Sequence, residues 1–331
     1  MNFLLTQPNG SVKTRHFPPT CMNRLRALGI VTENPYDRPY TRAELEAQLA
    51  DCEVLLTHWH TVPQLDESLL DCAPRLRVVA HCAGTVAHIA SPACYARGIA
   101  VLSANAIMAE YVAEAVLGMM IASLRRFSDY NEAMHRGTWS VLPGSDRSLL
   151  DLTIGLVGLG TVGRRLLDLL RPFGCPVTVY DPYLPANALS AWPNARPGSL
   201  HAVLHCPIVS VHAAQTPETF HLIDAAALAQ LPDGALLINS ARGSLVDPDA
   251  LVAELETGRI SAALDVYAHE GGAQPAALRA CPNVLLLPHK AAYPAGAHMT
   301  AGVIDDLERY ARGEPMRLRV SYEQYCHMTQ E

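Results

Sequence analysis

The chain has 331 residues, of which 50% are hydrophobic, 17% charged and 6% aromatic, with a formal net charge of −7 at pH 7. That size exceeds an ordinary single domain and fits a soluble globular chain of two. The acidic balance, with no Lys/Arg-rich run, excludes nucleic acid and an anionic membrane surface as the main partner.

Met1 to Thr6 has no basic leader and is followed at once by Gln7-Pro8-Asn9-Gly10, so nothing here reads as a signal peptide and a cytoplasmic location is expected. Short apolar runs at 2–6, 53–57, 76–80 and 99–102 predict buried strands, with helical patterns at 41–49, 66–72 and 87–97 between them. Strands that alternate with helices imply a parallel sheet covered on both faces. Next comes 105–126, a helical pattern apolar around most of its circumference, which predicts burial on more than one side, in a subunit interface as well as within the chain. Its longest apolar stretch, 112–124, carries Glu114 and reads as too short to cross a bilayer. The loop Leu142-Pro143-Gly144-Ser145-Asp146 separates this region from a second series of apolar runs at 152–157, 177–180, 208–212, 235–239, 261–266 and 284–287. A second doubly wound sheet is predicted, and a last helical pattern at 295–312 offers a return to the first domain.

The most specific motif is Gly158-Leu159-Gly160-Thr161-Val162-Gly163, placed between the apolar run ending at Val157 and an amphipathic stretch that starts at Arg164. Strand, glycine turn and helix in that order allow backbone to approach a pyrophosphate, whose charge the helix N-terminus favours. Asp181 ends the next apolar run, about twenty residues on, where an acid accepts hydrogen bonds from ribose hydroxyls. A 2′-phosphate would meet this carboxylate with a charge of about −1.5 to −2, and Pro182-Tyr183-Leu184 supply no cation. The cofactor read from these residues is NAD rather than NADP.

Polar residues then end further apolar runs, where an open α/β sheet binds ligands. Arg242 follows Asn239-Ser240-Ala241, Glu270 lies five residues after Asp265, and His289 follows Leu287-Pro288. The nine cysteines are scattered and never spaced CxxC, which suits a reducing compartment. His58 with His60, and His201 with His205, lack a third ligand at clear spacing, so no metal is expected. Lys290, beside His289, reads either as a solvated lysine or as a contact for a second anionic group on a substrate.

In these pieces the chain resembles the D-isomer-specific 2-hydroxyacid dehydrogenases: Val112-Ala113-Glu114, the glycine turn, Asp181, Ser240-Ala241-Arg242-Gly243, Leu264-Asp265-Val266-Tyr267 with Glu270, and Pro288-His289. The resemblance implies two doubly wound parallel-sheet α/β domains with a cleft between them. A flavodoxin-like substrate domain would take 1–103 and 295–331, and a Rossmann NAD domain 104–294. It implies an NAD-dependent enzyme that interconverts a small 2-keto acid and its D-2-hydroxy acid. Arg242 would bind the substrate carboxylate and C2 oxygen, His289 would exchange the proton, and Glu270 would hold His289. NAD would be held by Gly158 to Gly163, Asp181, Pro182, His212, Ala213, Thr216, Ser240, Ala241, Arg242, Asp265 and His289. Ala83, Gly84 and Thr85 would bind the substrate together with Arg242 and His289, and Trp59 and His60 would contact its side chain. A homodimer is implied as well. Relatives that act as NAD-sensing corepressors, or on phosphite or formate, define the alternatives.

Overall fold

Residues 1–139 and 146–329 are described in the computed structural model of the chain, so of the loop expected at 142–146 only Asp146 lies within the described residues. Contacts divide the chain into two units, Met1–Met108 with Tyr293–Glu331, and Ala109–Ala292.

The first unit is built on five parallel strands: β1 (Asn2–Leu5), β2 (Ile30–Glu33), β3 (Val54–Thr57), β4 (Val78–His81) and β5 (Ala100–Ser103), in the order β2-β1-β3-β4-β5. Strands β3, β4 and β5 are buried along their whole length, which is why they read as unbroken apolar runs. Strand β2 is an addition to the expectation. It lies at the sheet edge with Ile30 71% exposed, and its Ile-Val-Thr-Glu sequence carries no apolar run to mark it. The helix expected at 87–97 is shorter, Pro92–Ala96, because Pro92 fixes its first turn and the residues before it form a buried loop. Helices Ser11–His16, Pro19–Leu28 and Phe127–His135 were not anticipated either. After Gly296–Ala311 the chain runs back antiparallel beside β5, where Ser103 N–H donates to Leu318 O and Val320 N–H to Val101 O, covering that sheet edge.

Seven parallel strands form the second unit: β6 (Ile154–Val157), β7 (Val177–Tyr180), β8 (Ala195–Pro197), β9 (Ile208–Val211), β10 (Leu236–Asn239), β11 (Ser261–Leu264) and β12 (Val284–Leu286), ordered β12-β11-β10-β9-β6-β7-β8. Only the three-residue edge strand β8, Ala-Arg-Pro, lacked a signal in the sequence. The order reverses between β6 and β9. Ligands of such a sheet bind outside the carboxyl ends of the strands at that switch point.

The long apolar pattern becomes one helix, Asn105–Leu124. By length and composition its 20 residues are long and apolar enough to cross a membrane, because the helix starts earlier than the apolar stretch 112–124. Within the chain only one stripe is buried, Ala109, Val112, Ala113, Val116, Met119, Met120 and Leu124, while Tyr111, Leu117 and Ile121 stay half-exposed.

Candidate active site

At the switch point of the second unit, the three glycines of the turn are required for different reasons. Gly158 has φ +91°, and an added Cβ would lie 2.6 Å from the backbone N of Ala213, in the chain leaving β9. At Gly163 an added Cβ would meet Gly158 O at 3.1 Å, so helix and strand pack through its missing side chain. Gly160 differs: the nearest atom to an added Cβ is His212 O at 4.0 Å, so this glycine keeps space open instead of filling it. Thr161–Leu170 then begins a helix whose first-turn N–H groups face the turn, the arrangement that suits a pyrophosphate.

Asp181, one residue past β7, accepts the N–H of Leu159 at 2.8 Å and of Tyr183 at 2.9 Å. Its carboxylate is thereby fixed beside the glycine turn, with Pro182 between the two anchoring points. After β9, the Nε2 of His212 lies 2.9 Å from Ser210 Oγ, and desolvation pushes its pKa down to about 4, so the ring is neutral. Thr216 opens a short turn, its N–H donating to Thr219 Oγ1 at 2.8 Å. Ser240 Oγ is buried and finds no hydrogen-bond partner among the described residues, a vacancy that a bound dinucleotide could fill. Open space at Gly160, an anchored acid and an unmet hydroxyl together fit NAD.

The loops after β10, β11 and β12 carry Arg242, Glu270 and His289. Asn239, 1% exposed at the end of β10, accepts the Ala241 N–H at 3.1 Å and donates to Arg242 O at 2.9 Å, which shapes the loop that presents Arg242. Arg242 Nη1 donates to Ala241 O at 2.8 Å. A Cβ at Gly243 would fall 1.9 Å from Tyr267 C, so the Arg242 loop lies flat against the loop after β11. Asp265, at the start of that loop and 1% exposed, accepts the N–H of Lys290 at 2.7 Å and of Ala291 at 2.9 Å. Tyr267 OH donates to Leu287 O at 2.8 Å, holding the same loop from the other side. Between these anchors His289 adopts φ +53°, a left-handed conformation uncommon for a side-chain-bearing residue. Its Nδ1 lies 2.6 Å from Glu270 Oε2, and both side chains are more than two-fifths exposed. The Lys290 side chain is exposed. Asn239 and Tyr267 hold this constellation and went unread in the sequence. A polar residue that closes an apolar strand, as Asn239 does, was the available signal.

In the first unit Cys82, Ala83, Gly84 and Thr85 form a buried loop directly after β4. Ser103 Oγ donates to the carbonyls of Ala83 and Gly84, and the Thr85 hydroxyl donates to Thr329 O at 2.9 Å. The Thr85 side chain is therefore engaged by the C-terminal segment. Trp59 is half-buried against His58, with ring centroids 4.6 Å apart, and His60 is exposed at φ +54°. His58 pairs with His16, ring nitrogens 3.0 Å apart, and not with His60.

The family described as D-isomer specific 2-hydroxyacid dehydrogenase, NAD binding domain, matches residues 117–291. Over 285 residues the chain is 33% identical to a glyoxylate reductase of Thermofilum pendens, covering 83% of each. Among solved structures, a glyoxylate reductase from Paecilomyes thermophila superposes with a TM-score of 0.79 at 25% identity, covering 98% of this chain and 99% of that one. A D-lactate dehydrogenase from Aquifex aeolicus complexed with NAD and lactic acid gives 0.73 at 25% identity, over 95% and 96%.

Proposed function

The chain belongs to the D-isomer-specific 2-hydroxyacid dehydrogenases, NAD-dependent oxidoreductases, and we propose that it interconverts a small 2-keto acid with its D-2-hydroxy acid through Arg242, His289 and Glu270. The observation that carries this reading is the 2.6 Å contact between His289 Nδ1 and Glu270 Oε2. With Nδ1 engaged by the carboxylate, Nε2 is the nitrogen that exchanges a proton with the substrate. NAD, when bound, supplies or accepts the hydride.

In the reducing direction, charge grows on the C2 oxygen as the keto carbon becomes tetrahedral. Arg242 stabilises that charge and grips the neighbouring carboxylate. His289 donates its Nε2 proton to the oxygen, which completes the alcohol, and Glu270 steadies the imidazolium before the transfer. In the oxidising direction the same imidazole takes the proton back. The backbone of Ala83 to Thr85, in the first unit, holds the carboxylate, while Trp59 and His60 contact the substrate side chain. NAD belongs to the second unit, Ala109–Ala292, on Gly158 to Gly163, Asp181, Pro182, His212, Ala213, Thr216, Ser240, Ala241 and Asp265.

Two features support a cytoplasmic homodimer. All nine cysteines are free, as suits a reducing compartment. The half-exposed apolar side of helix Asn105–Leu124 calls for a cover, and a second copy of the chain fits better than lipid, since Glu110 and Glu114 are exposed on the same helix. Neither nucleic acid nor membrane belongs to this reading. Named relatives that are reductases and dehydrogenases do not favour the sensor alternative. The reading is tested by following NADH absorbance with glyoxylate, hydroxypyruvate, pyruvate and phenylpyruvate: turnover of at least one, lost in His289→Asn, is expected, and NADH binding without turnover of any would refute it.

A further inference from the structure

We propose that the first unit carries a subsite for a distal carboxylate of the substrate, lined by His60, His81 and His88, so that dicarboxylic 2-oxo acids are the preferred substrates. This rests on the reading that the 83–85 loop holds the reacting end of the substrate.

The three imidazoles sit at the carboxyl ends of the adjacent strands β3 and β4, the ligand-binding edge of such a sheet. His81 is the last residue of β4, His88 follows the substrate loop, and His60 lies in the loop after β3. Ring centroids are 5.5 Å apart for His81 and His88 and 5.6 Å for His60 and His88, a series that runs from a fully buried ring to an exposed one.

The buried end of the series is short of a partner. His81 Nδ1 lies 3.0 Å from Thr57 Oγ1, and both residues are 0% exposed. If the threonine hydroxyl donates to Nδ1, its own proton is satisfied and the imidazole proton falls on Nε2. The opposite assignment would leave the hydroxyl proton unmet as well, so the first is favoured. Nε2–H is then a buried donor, and it has no hydrogen-bond partner among the described residues. Such a group is costly to leave unmet, which makes an arriving acceptor favourable.

Burial, and after it the neighbouring imidazoles of His88, His58 and His60, hold the His81 pKa well below the ordinary histidine value, so the ring is neutral and Nε2–H is a donor. Neither His60 nor His81 has a carboxylate within ion-pair distance among the described residues, unlike His221 and His289. A metal is not the complement, because no three His, Cys, Asp or Glu side chains among the described residues converge closely enough to hold one. A carboxylate oxygen supplies the missing acceptor. A neutral ring with a single N–H donor, as at His81, suits a monoanionic carboxylate better than a doubly charged phosphate.

The test compares oxaloacetate and 2-oxoglutarate with 2-oxobutanoate and 2-oxopentanoate, pairs of equal carbon number, using NADH. Wild type should show kcat/KM at least tenfold higher for the dicarboxylates. His88→Leu should reduce that advantage below threefold through KM, and His60→Ala, at an exposed position, should move it the same way. The advantage should survive in Lys290→Ala. No dicarboxylate advantage in wild type overturns the subsite, as do an advantage lost only in Lys290→Ala and a stronger preference for 3-phosphohydroxypyruvate. Nitrogen-15 imidazole spectra read the subsite without turnover: D-malate should shift the His81 Nε2 resonance, and D-lactate should not. A malate shift with no turnover of any 2-oxo acid would sustain the subsite and overturn the assigned activity; turnover with no malate shift would do the reverse.

Discussion

The Asp265 carboxylate accepts the backbone N–H of Lys290 at 2.7 Å, and through it and Ala291 one buried acid fixes the loop that holds His289 in a left-handed conformation. Asp265 is 1% exposed, so removing its carboxylate leaves two N–H groups unmet in a buried setting, a loss of about 1–3 kcal/mol each. Asp265→Ala should lower Tm by several degrees and kcat by about 10²-fold, while Asp265→Asn, which keeps one acceptor, should fall between. Thermal melts and initial rates together check this. A variant with normal kcat would show that His289 needs no such anchor.

The His289 and Glu270 contact makes a second prediction. Glu270→Gln keeps the size of the side chain but removes the charge that steadies an imidazolium, and it should cost about 10²-fold in kcat; His289→Asn should cost about 10³-fold or more. NADH affinity, read from fluorescence titration, should change less than threefold in both. Parallel losses in kcat and NADH affinity would place the pair in cofactor binding instead.

The glycine turn gives a third test, because its members differ in what surrounds them. Gly158→Ala forces a side chain into φ +91° and against the Ala213 backbone, so it should destabilise the protein by more than about 3 kcal/mol or prevent folding. Gly160→Ala places its methyl 4.0 Å from the nearest atom. Its Tm should hold within a degree or two while NADH affinity falls tenfold or more. A Gly160→Ala variant that binds NADH normally would show that the space is not used by the cofactor.

Much of this was legible before any coordinates, and the exceptions share a cause. Strands β3, β4, β5, β6, β9 and β10 are buried throughout and announce themselves as apolar runs; β2 and β8, at the edges, bury too little to leave that signature. The glycine turn and Asp181 could be read because their chemistry is local, within one strand–turn–helix unit and the strand beside it. The anchoring work of Asp265 could not. Asp265 reaches backbone groups 25 residues away, and a bond to backbone N–H places no demand on the identity of its partner. Histidines 16 and 58 were similarly opaque, being 42 residues apart and joined only by the fold.

That buried histidine pair contributes to the acid limit of stability. Burial, reinforced for His16 by Arg15 and for His58 by His16, pushes His16 down to about 4 and His58 to about 3, from 6.5 in the unfolded chain, and His81 and His212 are lowered in the same direction. Because the folded values lie below the unfolded one, the unfolded state binds more protons between them, and stability falls as pH drops below 6.5. Each such imidazole can steepen the fall by up to about 1.4 kcal/mol per pH unit until its folded pKa is reached. Above pH 7 all are neutral in both states and contribute no slope. Melts from pH 8 to pH 4.5 should therefore show a flat Tm followed by a decline that begins near pH 6.5, well above the range where carboxylates titrate. His58→Phe, which fills the same buried site beside Trp59 without a titrating group, should flatten part of that decline. If wild type and His58→Phe lose Tm in parallel from pH 6.5 to pH 5, the pair does not take up protons on unfolding, and the burial argument for it fails.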